Sequence, residues 1–347
     1  MSLLTSLISH QIWLQRAASG EVKDLAPFIQ EMRDEIKRQV LLFGDDGRST
    51  ARLNKLLRDL EEALTGLTGD WQTKLTEDLK ELAAYEAEWN VKTLTTNVNA
   101  EFVTPTAEQV WAAAEFQPLS LSDKPVDFAK LMDGWGETEV SRLVTGVKMG
   151  FVQGQTTRQI VKNVVGAGGL ADISERNAAT VTRTALSHIS NEARNETYRQ
   201  NDDIIEKYEW VSTLDSRTST ICRARDGMTW EIGKGPMPPA HFGCRSTTAP
   251  VISSEFDFLD KDAKRAAKGA DGGTQVSVDT SYYEFLKQQP AWFQDEALGP
   301  VRGKIFRNSG ISPEEFRVIS VDGFGRPLTI KEMAELDKRV ADYLKGE

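Results

Sequence analysis

Apolar positions recur three or four residues apart through the first hundred positions, and that spacing predicts amphipathic helices. Val22, Leu25, Ile29, Met32, Ile36, Val40 and Phe43 share one face of a helix that stops at a Gly44 to Gly47 turn. Leu53, Leu56, Leu60, Leu64 and Leu67 form a second stripe, and Trp71, Leu75, Leu79, Leu82, Tyr85 and Trp89 a third. With a short segment at 3–17, these predict an antiparallel helical bundle or hairpin over residues 1–100. Stripes of this width bury against neighbouring helices of the same chain; the rival use is a docking face for a larger assembly.

Residues 101–130 read as a connector, broken by Pro105, Pro118 and Pro125, with Thr106 placed to cap a short helix at 107–114. Helix resumes at 127–150. After a turn and cap at Thr156, another helix runs to the glycines at 166–169. The segment 174–201 is a long helix whose Ala178, Val181, Ala185, Ile189 and Ala193 leave one side small enough for close packing.

From residue 206 the period changes from helical to extended. Tyr208, Trp210 and Val211 favour a strand, Asp215 suits a turn that its carboxylate pins, and 220–222 reads as a second strand. Asp226-Gly227 is a hairpin turn, and 229–232 a returning strand. Pro236, Pro238 and Pro239 force a rigid loop that delivers His241-Phe242-Gly243-Cys244-Arg245, followed by extended 247–251. Beyond 252 the glycine-rich run suggests a flexible linker at 253–280. A small α+β tail at 281–347 then has a short helix at 282–289, a strand at 316–321 and a final helix at 328–344 capped by Thr329. The predicted class is α+β, mainly helical. A helical module is followed by a mixed domain of long helices and small β-hairpins at 131–252.

Both cysteines and one of the three histidines lie within residues 206–252. Cys222, His241 and Cys244 are the ligand types zinc prefers, and a closed site needs a fourth donor, for which Asp215 or Asp226 is available. The alternative is a small unit packed by Trp210, Trp230 and Phe242, its cysteines buried thiols or a disulfide. Arg217, Arg223, Arg225 and Arg245 crowd the same segment. They suit contact with phosphate or with a partner's carboxylates, or internal pairing with Asp215, Asp226 and Glu231.

The motifs Asp215-Ser216-Arg217-Thr218, Cys222, Asp226-Gly227 and Pro238-Pro239-Ala240-His241-Phe242-Gly243-Cys244-Arg245 resemble the signature of phage head morphogenesis proteins of the Mu F-like, or minor head protein, family. So do Arg183, Thr184 and Asn191 upstream, and the 282–300 stretch downstream; the likeness spans about 135–336. Where relatives carry further cysteines, this chain has Ser219 and Ser246. The resemblance implies a virion component of a tailed phage, made in the host cytoplasm and lodged in the head near the portal vertex. Its implied partners are the portal protein, the major capsid or scaffolding protein, packaged double-stranded DNA and further copies of itself. A head-to-tail adaptor, or a zinc-binding enzyme or effector fused to a morphogenesis unit, is the alternative.

Composition narrows this further. A net charge of −10 opposes a surface broadly adapted to duplex DNA. No apolar run approaches the ~20 residues of a membrane span, and the N-terminal residues lack a basic leader. Two cysteines in 347 residues are no disulfide framework. The Gly-x-Ser-x-Gly, His-Glu-x-x-His and zinc-deaminase patterns are missing, so a non-enzymatic role is expected.

Overall fold

A computed structural model of the chain describes residues 2–45, 49–98, 100–121, 124–252 and 263–346. Three helices open it: α1 (Leu3–Asp24), α2 (Ala26–Phe43) and α3 (Thr50–Val98). In α2 the stripe Ile29, Met32, Ile36 and Val40 is buried as its period requires. The second and third leucine stripes prove to be one, because α3 continues unbroken for 49 residues. Gly66 and Gly69 between them each cost about 1 kcal/mol relative to alanine, but with no proline to end the helix the stripe keeps its phase. Part of the predicted Gly44 to Gly47 turn lies outside the described residues.

The connector is built into this bundle. The helix α4 (Ala107–Phe116) carries a full capping box between Thr106 and Gln109, and the short pair β1 (Leu119–Leu121) and β2 (Lys124–Val126) follows it. Val110, Ala114, Leu119 and Leu121 join a continuous core that also takes in α5 (Phe128–Val152), α6 (Thr157–Val165) and α7 (Leu170–Arg199). At the α3–α5 crossing a side chain on Gly136 would meet Thr68 at 3.2 Å, and Trp71 and Trp135 lie with ring centroids 4.2 Å apart.

The helix α7 is the axis of the molecule. Sequence periodicity marks one small apolar side, yet from Thr184 to Tyr198 nearly every residue is buried, including Ser190, Asn191, Glu192, Arg194 and Thr197. Glu86 of α3 meets it there: the Ser190 hydroxyl donates to Glu86 at 2.7 Å, and His10 Nε2 lies 2.6 Å from the other oxygen. His10 also stacks on Trp89 with centroids 3.5 Å apart, which no local sequence signal announces.

Against the end of α7 sits a three-stranded antiparallel sheet in the order β4-β3-β5, from β3 (Ile205–Val211), β4 (Thr229–Glu231) and β5 (Thr247–Ile252). The predicted strand at 220–222 is instead the start of helix α8 (Thr220–Arg225). Its N-cap Ser219 accepts from the Cys222 amide, and the cap outweighs the β-favouring Thr220 and Ile221.

The region predicted as a linker holds the hairpin β6 (Lys264–Gly269) and β7 (Gly272–Ser277), while 253–262 lies outside the described residues. Alternate residues Arg265 and Ala267 turn inward, and an inward arginine hides the period-two signal. Six helices among the described residues end the fold: α9 (Tyr282–Lys287), α10 (Ala291–Leu298), α11 (Pro300–Asn308), α12 (Pro313–Ser320) and the pair α13 (Ile330–Leu336) and α14 (Lys338–Gly346). The predicted strand at 316–321 falls mostly in α12. There Ser312, Pro313 and Glu315 form a capping box that overrides Val318 and Ile319. The predicted final helix begins with its Thr329 cap but divides at Asp337, which is extended. Tyr283, Phe285, Phe306 and Phe316 centre this last core, and Leu214 packs into it.

Candidate functional site

Strand β3 leads into a turn held by two buried acids. The amide of Arg217 donates to Asp215 Oδ1 at 3.0 Å and the Thr218 hydroxyl at 3.2 Å, while Arg245 grips both carboxylate oxygens at 2.5 and 2.8 Å. Burial opposes the charge of Asp215, but Arg245 outweighs it and holds the carboxyl below its usual range. Asp226 accepts from the Ser212 and Tyr282 amides, both at 2.8 Å, and from Arg265 at 2.9 and 3.1 Å. Gly227, at φ +77°, completes the turn and donates to the Trp210 carbonyl.

The loop after β4 passes through a cis Pro238-Pro239 bond. Gly243, at φ +67°, presents its amide to the Thr184 hydroxyl of α7 at 3.0 Å. Asn191, two turns further along α7, accepts from the Thr247 hydroxyl at 3.4 Å. The residues that carry the family resemblance thus meet in space. Arg183 is an exception: it lines an adjoining cleft with Arg217 and residues 243–245.

Within this frame Cys222 Sγ lies 3.4 Å from His241 Nε2 and 3.6 Å from Cys244 Sγ, and both thiols are free. Among the described residues these three donors converge, all within 4.8 Å of one another. His241 Nδ1 donates to the Phe242 carbonyl at 3.0 Å, which leaves Nε2 facing the sulfurs with its lone pair. Cys244 is the more acidic thiol, because Cys222 and then His241 hydrogen-bond its sulfur, while the Cys222 thiol is pushed up by the same pairing and by burial. Burial disfavours the His241 imidazolium, and its contact with Cys244 more than offsets this and raises its pKa. Asp215, a candidate fourth ligand in sequence, is engaged by Arg245, and Asp226 by Arg265; neither joins the three.

Other expectations need correction. Phe242 is half exposed and packs outside the small Trp210, Cys222, Ala240 and Cys244 core. Of the four arginines only Arg245 makes a close carboxylate pair. Arg217 is 3.8 Å from Asp215, Arg223 lies over the Tyr282 ring, Arg225 over Trp210, and Glu231 pairs with Lys234. Sequence reading missed Arg265, hidden in a stretch with no apolar period, and the Tyr282 hydroxyl, which donates to the Asp215 carbonyl at 2.8 Å.

A separate cleft of about 700 Å³ runs along α7 past His188, Glu192 and Asn195 to the 235–239 loop. Burial raises Glu192 to about 7 and lowers His188 to about 4. The His188 ring is hydrogen-bonded to the Ala114 carbonyl at 2.8 Å, so it is a packed side chain.

A family described as phage Mu protein F like protein matches residues 141–249, within the 135–336 span over which the motifs resemble it. No curated protein and no solved structure matches the chain. The matched segment contains α7, β3, β4, the first half of β5 and the thiol–imidazole cluster. No helix of the described residues is long and apolar enough to cross a membrane.

Proposed function

We propose that the chain is a structural minor head protein of a tailed phage, acting at the portal and inner capsid surface during head assembly or DNA packaging. A Mu F-like segment points to phage head morphogenesis, and the way its residues are used supports a mechanical role within that. Thr184 and Asn191 of α7 tie the 241–247 chain to the bundle. Asp215 and Asp226 tie the same unit to Arg245 and to the tail. Carboxylates fully engaged by guanidinium and backbone donors are fixed struts rather than proton carriers. The single observation that carries the reading is this coincidence of the matched segment with a cross-braced unit. Mass spectrometry of purified virions is the test, joined to co-purification with the portal protein from infected cells. A few copies per particle are expected, fewer heads when the gene is deleted, and loss of incorporation with Asp215→Ala. Absence of the chain from virions and unchanged head yield on deletion would overturn the proposal.

A further inference from the structure

We propose that Cys222, His241 and Cys244 bind one zinc ion through Sγ, Nε2 and Sγ, with a water molecule as the fourth ligand. The inference stands on the cluster alone and does not depend on the head-assembly reading. Tetrahedral zinc with Zn–S of about 2.3 Å and Zn–N of about 2.0 Å sets S···S edges near 3.8 Å and S···N edges near 3.5 Å. The two edges from Cys222, 3.6 Å to Cys244 and 3.4 Å to His241, come close to these, and the third, between Cys244 and His241, lies within 4.8 Å. A hydrogen bond to the far ring nitrogen is how zinc-binding histidines are oriented, and the Phe242 carbonyl supplies it. Both sulfurs are almost fully buried, whereas His241 is partly exposed and offers a route of entry.

The fourth vertex has a place to go. A cavity of about 40 Å³ opens on Cys222 and His241; Thr218, Ser219 and Ser246 line it together with Arg217 and with Arg245, whose charge Asp215 offsets. One water fits such a space, and three hydroxyls are partners enough to hold it. Binding releases the two thiol protons to solvent and leaves Zn(II) with two thiolates, one neutral imidazole and one water. The ion would clamp α8 to the 241–244 turn, adding to the small Trp210 core in which Cys222, Ala240 and Cys244 already meet.

The experiment is metal analysis of the full chain purified under reducing conditions without chelator, followed by replacement with cobalt(II). About one equivalent of zinc is expected, and a cobalt spectrum with thiolate charge-transfer and strong tetrahedral d–d bands. Cys244→Ser and His241→Ala should each drop bound zinc below about a tenth of an equivalent. Should those variants not fold, the wild-type cobalt spectrum decides alone. Ser246→Cys, which leaves the Ser219 cap intact, supplies a third sulfur as the fourth protein ligand and is expected to tighten zinc at least about tenfold. The proposal fails if the reduced protein, with both thiols free to react, takes up less than about a tenth of an equivalent from added zinc. It also fails if Cys222 and Cys244 are found disulfide-bonded in protein from a reducing cytosol, or if Ser246→Cys binds zinc no more tightly than wild type.

Discussion

Glu192 on α7 and Asp226 after α8 are both buried carboxylates, in regions stabilised by different means. Around Glu192 lies the helical bundle, whose core is a continuous apolar stripe from Ala18 to Ala193. There the acid receives one hydrogen bond, from Asn195 at 3.2 Å, and burial keeps it protonated up to about pH 7. Asp226 sits between the small Trp210 core and the aromatic core of the last helices, and its carboxylate accepts four hydrogen bonds that join the end of β3, β6 and α9. A buried acid weakens the region around it when its hydrogen bonds are too few, and organises that region when donors from several elements satisfy it.

The sharpest way to break the contrast is Asp226→Ala. It strands the guanidinium of Arg265, whose side chain is 4% exposed, and should destabilise the chain by about 3–5 kcal/mol in urea melts. Hydrogen exchange should show the β6–β7 hairpin and α9 loosening first. A loss under about 1 kcal/mol would mean that the polar frame is not what joins the tail to the sheet.

Glu192→Gln should act in the opposite direction. Below pH 4.5 the acid is protonated whether folded or unfolded; between 4.5 and about 7 the unfolded chain ionises first, so wild-type stability is lost as pH rises. The amide should therefore stabilise by on the order of 2 kcal/mol at pH 8 and by almost nothing at pH 4.5. His188 has the opposite slope, its stability present above 6.5 and lost as pH falls toward about 4, and is common to both proteins. Equal melts of the two at both pH values would contradict the assignment.

The smallest expected effect is that of Thr184→Val, which keeps the shape of α7 but removes the acceptor for the Gly243 amide. About 1 kcal/mol is expected, together with faster exchange at Gly243. An unchanged exchange rate would show that α7 does not hold this loop.

The stripes of α2 and α3, the caps at Thr106, Thr156 and Thr329, and the turn at Asp226-Gly227 were legible because each depends on residues within one or two turns of chain. The helix at 220–225 and the one replacing the predicted strand at 316–321 were missed where a cap at Ser219 or Ser312 outweighed β-branched side chains. The β6–β7 hairpin was missed because its inward Arg265 looks polar until Asp226 is brought to it. The candidate site divides in the same way: the chain names Cys222, His241 and Cys244 as donors, yet rejecting Asp215 required seeing Arg245 on it.

The chain alone, then, sets where the strongly periodic helices form, which stripe α2 and α3 bury and which residue types are able to bind a metal, since those follow from local spacing and side-chain chemistry. Tertiary structure alone decided which acid meets which guanidinium, that nearly every residue of α7 from Thr184 to Tyr198 is buried, and that two sulfurs and an imidazole nitrogen from separate segments lie within 4.8 Å. Those outcomes depend on contacts between residues far apart in the chain, and local spacing carries no record of them.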